Sequence, residues 1–290
     1  MINIMILNWN SSAEIFTLLS SIRKSVFKDF RVLIIDNFSN DSERLNDLID
    51  FFPEFEIHII FNSSNFGYAK GNNVGFEYLE GNGIPGDILI INPDVKVRAD
   101  TLYELVSAKL QNNNVGAVMI RTFDEFGVVI YDKIILHGFK QTYKKFPITF
   151  EGINETDYCA GSCILLDRNV IREVGLFDEA FFLYWEEVDL SLRIRESGYK
   201  LLSTTKSSVV RKSNSLDRSI NAYYYFIRNS FLLNRKWPNE CGKFYHFLFI
   251  FSAVSSALIN SFKKNDFRFI KSSLRGLWDG IYGKSGVKSS

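Results

Sequence analysis

The amino-acid sequence predicts an α/β protein, a mostly parallel central sheet flanked by helices, followed by a C-terminal helical extension. Three observations predict it. Short apolar runs alternate with helix-length segments through residues 1–100, the pattern of a parallel sheet covered on both faces. Asn- and Asp-rich clusters follow successive runs, at the positions where strands would end. From Lys200 onward there are 16 Lys/Arg against 4 Asp/Glu, whereas residues 1–199 hold 18 against 29, so the overall charge of +1 conceals a basic end. The expected division is a sheet domain at 1–215 and a basic helical region at 216–290.

Taken in order, Ile2–Leu7 is a strand stopped by Asn8, and Ser11-x-x-Glu14 is a capping box for a helix to about Ser25. Arg31–Ile35 is a second strand, ending at Asp36-Asn37. A polar helix at Ser42–Phe52 and a strand at Glu56–Phe61 follow. Gly67–Glu80 reads as helix, and Asp87–Ile91 is a strand that halts at Asn92-Pro93-Asp94. Ala99–Gln111 is helical, Val115–Ile120 and Val128–Ile130 are strands, and Gln141–Thr156 is expected to be loop. Ser162–Leu166 is a buried strand, and Asn169–Val174 a short helix closed by Gly175. From Val188 to Ile194 apolar and polar residues alternate, which suits a strand or a helix buried on two opposite faces. Asn221–Trp237 is aromatic, basic and helical. Phe244–Phe262 carries no formal charge. Phe267, Ile270, Leu274, Leu277, Trp278 and Ile281 recur at helical spacing, with Lys264, Arg268, Lys271 and Arg275 among them.

The 290 residues suit one large domain, or a domain with an appendage, and a hydrophobic content of 46% with five prolines fits a substantial core. Cys159, Cys163 and Cys241 are too few for a disulfide framework and lack the His partners of a zinc site, so reduced cytoplasmic thiols are expected. The opening MINIMILNWN has no basic n-region and reads as a first strand. His58 and His137 are assigned no role.

Chemistry concentrates in FDEAFFLYWEEVDLSLR, residues 177–193, where Glu179, Glu186, Glu187 and Asp189 stand among large aromatic and apolar residues. Desolvating a carboxylate costs several kcal/mol unless a proton, cation or metal offsets it. The helix dipole accounts for one or two acids at a helix start, but not for the aromatics pressed against them. This stretch is the expected floor of an active site. Asn92-Pro93-Asp94 is either an ordinary turn or a place where Asp94 holds a divalent cation, Mg²⁺ or Mn²⁺. NFGYAKGNN, residues 65–73, offers helix-start amides to a phosphate, or is a glycine-permitted turn; it is neither a dinucleotide fingerprint nor a P-loop.

Together and in this order the segments LNWN (7–10), IDNFSND (35–41), NFGYAKGNNVG (65–75), NPDV (92–95), CAGSCILLDR (159–168) and VGLFDEAFFLYWEEVDLSLR (174–193) resemble inverting glycosyltransferases of family 2, with the Rossmann-like GT-A fold. Within that family they look most like rhamnosyltransferase-like enzymes of bacterial O-antigen (lipopolysaccharide) and capsule assembly. The resemblance spans residues 1 to about 205, and RNSFLLNRKW (228–237) looks like the family's usual tail.

The resemblance implies roles. Asp36 would bind the pyrimidine base of a nucleotide sugar, with Asn8, Asn37, Ser39, Gly67 and Asn92 around the donor and Asn72 or Asn73 near its ribose and diphosphate. Asp94 would bind the metal. Glu187 stands where the family's base stands, usually an Asp, at the start of a helix, and this decides the alternation after Val188 in favour of helix. Arg211 stands where a metal-associated His often follows a late strand, and would steady the diphosphate. Gly161, Tyr184, Trp185 and Glu186 would meet the acceptor or sugar.

The expectation is therefore a cytoplasmic enzyme, peripheral on the inner membrane face, moving a hexose or deoxyhexose from a nucleoside diphosphate to a glycan, lipid-linked acceptor. No nucleic-acid partner is expected, and the sequence carries no signal for oligomeric state. A nucleotidyltransferase is the alternative enzyme, but LNWNSSAE lacks its Gly-rich, basic phosphate loop. A catalytically dead sugar-binding subunit is the non-enzymatic alternative, raised by Glu at 187.

Overall fold

Ile, Val and Leu alternate between two buried faces along the first strands, so each strand needs helices on both sides. A computed structural model describes residues 1–212 and 216–288. In it β1 (Ile2–Asn8), β2 (Phe30–Asp36), β3 (Ile57–Phe61) and β4 (Asp87–Ile91) form a parallel set in the order β4-β1-β2-β3. Helices α1 (Ser12–Ile22), α2 (Arg44–Phe51) and α3 (Gly67–Gly81) connect them. Ile4, Ile6, Val32 and Ile34 enter one buried cluster, while Met5, Leu33 and Ile35 enter the other. The register sets Asn8 beside Asp36, which brings two polar strand ends together.

Beyond these come β5 (Val95–Val97), α4 (Thr101–Leu110), β6 (Val115–Asp124), β7 (Val129–Tyr131), β8 (Lys133–His137), β9 (Lys140–Lys144) and β10 (Ile153–Glu155). They are followed by β11 (Cys163–Leu166), α5 (Arg168–Val174), α6 (Glu186–Glu196) and β12 (Lys200–Arg211). The sheet runs β10-β12-β6-β11-β4-β1-β2-β3, with β5 on β12 and β7 on β6. β11 is antiparallel to both of its neighbours, and β12 is parallel to β6.

Several expectations change. The capping box does not form: the Ser11 hydroxyl donates to the Trp9 carbonyl at 3.1 Å, and Asp41 Oδ2 accepts the Ser12 amide at 2.8 Å. The expected loop at 141–156 contains β9's end and β10. β12 was hidden by its composition, because Ser203, Thr204, Thr205, Ser207 and Ser208 are buried in it. Among them, Ser207 Oγ donates to Asp100 at 2.6 Å and Thr205 Oγ1 to the Phe150 carbonyl at 3.0 Å. The segment after Val188 is helical, buried nearly all round, which produces alternation without a strand.

The C-terminal helices are α7 (Leu216–Lys236), α8 (Pro238–Cys241), α9 (Lys243–Lys263) and α10 (Arg268–Ile281). The expected boundary at 215–216 falls on 213–215, outside the described residues. Leu233 and Cys241 share the core cluster of Trp185 and the sheet, so this end packs as part of the main body. α10 presents small residues inward: a Cβ on Gly276 would lie 2.5 Å from the Tyr224 carbonyl oxygen, and one on Gly280 2.4 Å from the Phe231 ring. Its Leu274, Trp278 and Ile281 face outward, as do Phe244, Phe247, Phe251, Ile259 and Phe262 of α9. Both helices are inside-out relative to those of a water-surrounded bundle.

Candidate active site

A cavity of about 1320 Å³ opens at the carboxyl ends of β1 and β4 and runs to α7 and α9. Asn37, Gly67, Asn92, Asp94, Gly161, Tyr184, Trp185, Glu186, Glu187 and Arg211 line it, whereas Asn8, Asp36, Ser39, Asn72 and Asn73 do not.

The segment before α6 is bent to deliver Glu187. Phe182, Tyr184 and Trp185 have φ of +59°, +68° and +74°, values that aromatic residues rarely adopt and that cost roughly 1–3 kcal/mol each. α7 holds the bend: the Asn229 amide donates to the carbonyls of Phe181, Leu183 and Tyr184 at 2.7, 2.8 and 2.9 Å. Arg228 Nη2 donates to Phe181 O at 3.0 Å. From the other side the Tyr68 amide donates to the Phe182 carbonyl at 2.6 Å. Gly67, with φ +79°, is needed because a Cβ there would sit 2.4 Å from the Phe182 ring.

Glu186 and Glu187 then begin α6 side by side. Glu186 is 1% exposed and its Oε2 has no hydrogen-bond partner. Burial, reinforced by the neighbouring Glu187 charge, pushes its pKa well above the ordinary carboxylate value, which favours the neutral acid. Burial also raises Glu187, but its own backbone amide, Arg211 and the Gly161 amide pull the other way. Of the two carboxyl groups, only that of Glu187 has cationic and amide neighbours that favour its ionised form. Asp189, fully buried, is a structural hub: it accepts from Arg193 Nε at 2.9 Å and from the Trp237 indole N–H at 2.8 Å.

Most amide side chains expected around a donor are occupied inside the protein. Asn8 Nδ2 donates to Asp36 Oδ1 at 2.8 Å and to Ser39 Oγ at 3.0 Å, and the Ser39 amide donates to Asp36 Oδ2 at 3.1 Å. These three residues shape the loop after β2. Asn37 donates to Asn65 Oδ1 at 3.0 Å and Gly67 O at 3.1 Å, fixing the start of α3. Asn72 is fully buried, and Asn73 exchanges hydrogen bonds with the Phe177 backbone at 2.8 and 3.0 Å. Trp185 is 2% exposed, with its indole N–H on the Phe226 carbonyl at 3.0 Å, so most of its ring is spent on packing. Tyr184 stacks on Phe226, ring centroids 4.5 Å apart.

At the mouth, Arg211 Nε lies 3.6 Å from Asp94 Oδ2. No group of three His, Cys, Asp or Glu suited to a metal occurs among the described residues. Asp94 nevertheless fits a Mg²⁺ or Mn²⁺ that takes one protein carboxylate and completes its shell from water and substrate phosphates.

Several lining residues escaped sequence reasoning. Trp9 is 48% exposed at the cavity, although its place in LNWN after β1 was the available signal. Tyr68, Tyr131 and Tyr158 line the wall near Glu187, and Tyr225 and Phe226 line it from α7. Arg228 and Asn229 were marked only as the first two residues of RNSFLLNRKW.

Residues 3–175 match the sequence family described as Glycosyl transferase family 2. Among curated relatives, the low-salt glycan biosynthesis hexosyltransferase Agl10 of Haloferax volcanii is 26% identical over 204 residues, 69% of this chain and 63% of that protein. The chain thus spans less than two thirds of that relative. The rhamnosyltransferase WbbL of Escherichia coli K12 is 22% identical over 213 residues, 62% of this chain and 77% of WbbL. The dTDP-rhamnosyl transferase RfbF of Shigella flexneri is 26% identical over 272 residues, 88% of this chain and 87% of RfbF. Among solved structures, the mannosyltransferase PcManGT of Pyrobaculum calidifontis with GDP-Man and Mn²⁺ superposes with a TM-score of 0.65 at 12% identity, covering 98% of this chain and 88% of that one. GalNAc-T7 with UDP, GalNAc and Mn²⁺ gives 0.61 at 16%, covering 74% and 44%. The architecture is the GT-A fold.

Proposed function

The chain belongs to glycosyl transferase family 2, and from that premise we propose that it transfers a hexose or deoxyhexose, rhamnose-like, from a nucleoside diphosphate to a glycan hydroxyl with inversion. The observation that carries this reading is that Glu187, Asp94, Arg211 and the aromatic residues Tyr225 and Phe226 of α7 all line one cavity. The acceptor oxygen attacks the anomeric carbon as the bond to the diphosphate oxygen breaks. Glu187 takes the hydroxyl proton, and the diphosphate leaves with the bonding electrons. Arg211 stands ready for that charge. Asp94, with Asn92 beside it, would hold the divalent ion; such an ion, when bound, neutralises charge on the leaving diphosphate. Glu186, kept neutral, adds no competing anion beside the base.

The outward-facing Phe and Trp of α9 and α10, bordered by Lys263, Lys264, Arg268, Lys271 and Arg275, support seating on an anionic membrane surface. α9 is long and apolar enough to cross a membrane, but its helix lies against α7 and α10 and its apolar face is one-sided, which favours lying in the interface. That seating suits a lipid-linked acceptor, a cytoplasmic peripheral location and a place in surface-polysaccharide assembly, as in O-antigen or capsule. Incubating the protein with a panel of labelled nucleotide sugars and a lipid-linked glycan tests the reading: transfer with an inverted anomeric centre is expected. Release of nucleotide monophosphate onto a sugar phosphate, or no turnover of any donor, would reject it.

A further inference from the structure

A Cβ placed on Gly161 would lie 2.5 Å from Glu187 Oε1 and 2.9 Å from its Cγ, closer than side-chain carbons approach. It would also lie 3.0 Å from the Tyr68 hydroxyl. The φ of Gly161 is outside the left-handed region, so its backbone does not call for glycine; the space does. The position is also fixed. Tyr68 Oη donates to the Gly161 carbonyl at 2.9 Å, and the Tyr68 backbone is tied to Phe182 at the bend that leads into α6. Gly161 therefore cannot retreat from an added methyl without breaking that tie. Asp at 187 would be shorter by one C–C bond, about 1.5 Å, and would withdraw from this contact.

We propose that Gly161 is a positioning residue for Glu187: its missing side chain makes the room that a base one methylene longer than Asp requires, so size at 161 and length at 187 are coupled. The inference rests on Glu187 being the base. It also gives Gly161 a role different from direct contact with the acceptor, and it removes the main reason to regard Glu at 187 as a disabling change.

A four-protein cycle tests it: wild type, Gly161→Ala, Glu187→Asp and the double variant, each assayed for sugar transfer across pH and for melting temperature. Gly161→Ala is expected to lower turnover on the order of a hundredfold, since misplacement by about 1 Å has that effect, and to move the acid limb of the pH profile. The double variant is expected to regain much of the loss, giving a deficit well below the product of the two single deficits. If Gly161→Ala melts far below wild type, the double variant should recover the melting temperature, which reads the same coupling. Losses that multiply, without recovery of activity or melting temperature, overturn the proposal while leaving the base intact. Wild-type turnover in Glu187→Gln overturns the base assignment and the proposal with it.

Discussion

Arg211 Nε lies 3.6 Å from Asp94 Oδ2, so the carboxylate available to a metal already faces a fixed cation. Burial would lower the Arg211 pKa, but Asp94, Tyr131 and Glu187 around it raise it, and the guanidinium stays charged. A diphosphate entering here meets Arg211 directly, and a divalent ion meets Asp94. Removing Asp94 should therefore cost most of the transfer activity in a folded protein. Chelation should abolish transfer, with Mg²⁺ or Mn²⁺ restoring it. Undiminished transfer in excess chelator, combined with loss in Arg211→Ala, would assign the diphosphate charge to Arg211 alone.

Glu186 gives a pH signature in stability. Its carboxyl pKa is raised in the folded state, chiefly by burial and secondly by Glu187. Below the ordinary Glu range both folded and unfolded chains hold the proton. As pH rises above that range, the unfolded chain releases it first and the folded state loses stability. Glu186→Gln removes this liability, so it should melt higher than wild type at pH 8, with the difference shrinking toward pH 4. An equal difference at both pH values would mean that the glutamate is partnered and ionised when folded.

How much of this was legible follows from what each signal measures. Apolar runs report burial, so β1 to β4 were visible, and six motifs in order were enough for the fold. Apart from its end before Arg211, β12 was not visible, because its buried hydroxyls find partners on other elements that no local pattern announces. At the site, Asp94 was legible as a charge after a strand, and Glu187 and Arg211 through their places in the family's motifs. Asn8, Asp36, Asn72 and Asn73 were legible only as polar residues, since a side chain that holds a loop and one that holds a ligand look alike until its partners are seen. The role of Asn229 was hidden for the converse reason: its three acceptors are backbone carbonyls some 45 residues away. Trp185 shows the ambiguity of an aromatic, which serves a sugar or a core equally well in sequence.

The C-terminal surface makes a separate prediction. Deleting residues 240–290 is a poor test, because Cys241 belongs to the central core and the Gly286 amide donates to Ala180 O at 2.9 Å. Surface substitutions are cleaner. Phe247, Phe251 and Trp278 are 66%, 66% and 60% exposed, so changing all three to Ser should leave the fold intact. Binding to vesicles containing anionic lipid should fall at least tenfold, since each side chain forfeits about 1.5–3 kcal/mol of apolar transfer when fully buried in the wild type. Unchanged sedimentation with vesicles would mean that the exposed face meets something other than lipid.

Glu187 makes the most direct prediction. The acceptor hydroxyl must lose a proton as its oxygen bonds to carbon, and a carboxylate does this only when ionised. Burial raises the Glu187 pKa above 4.5, while its own amide, Arg211 and the Gly161 amide limit the rise. Activity should therefore climb with pH along a limb whose midpoint lies above the ordinary Glu value. Arg211→Gln should move that midpoint further up, because it removes the cation that favours the ionised form. Glu187→Gln preserves shape and removes basicity, so turnover should fall about a hundredfold or more with donor binding nearly unchanged. Glu186 is the adjacent control. Its own carboxyl is held neutral, so Glu186→Gln should leave the acid limb in place, and a collapse of turnover there with Glu187→Gln still active would shift the base by one residue.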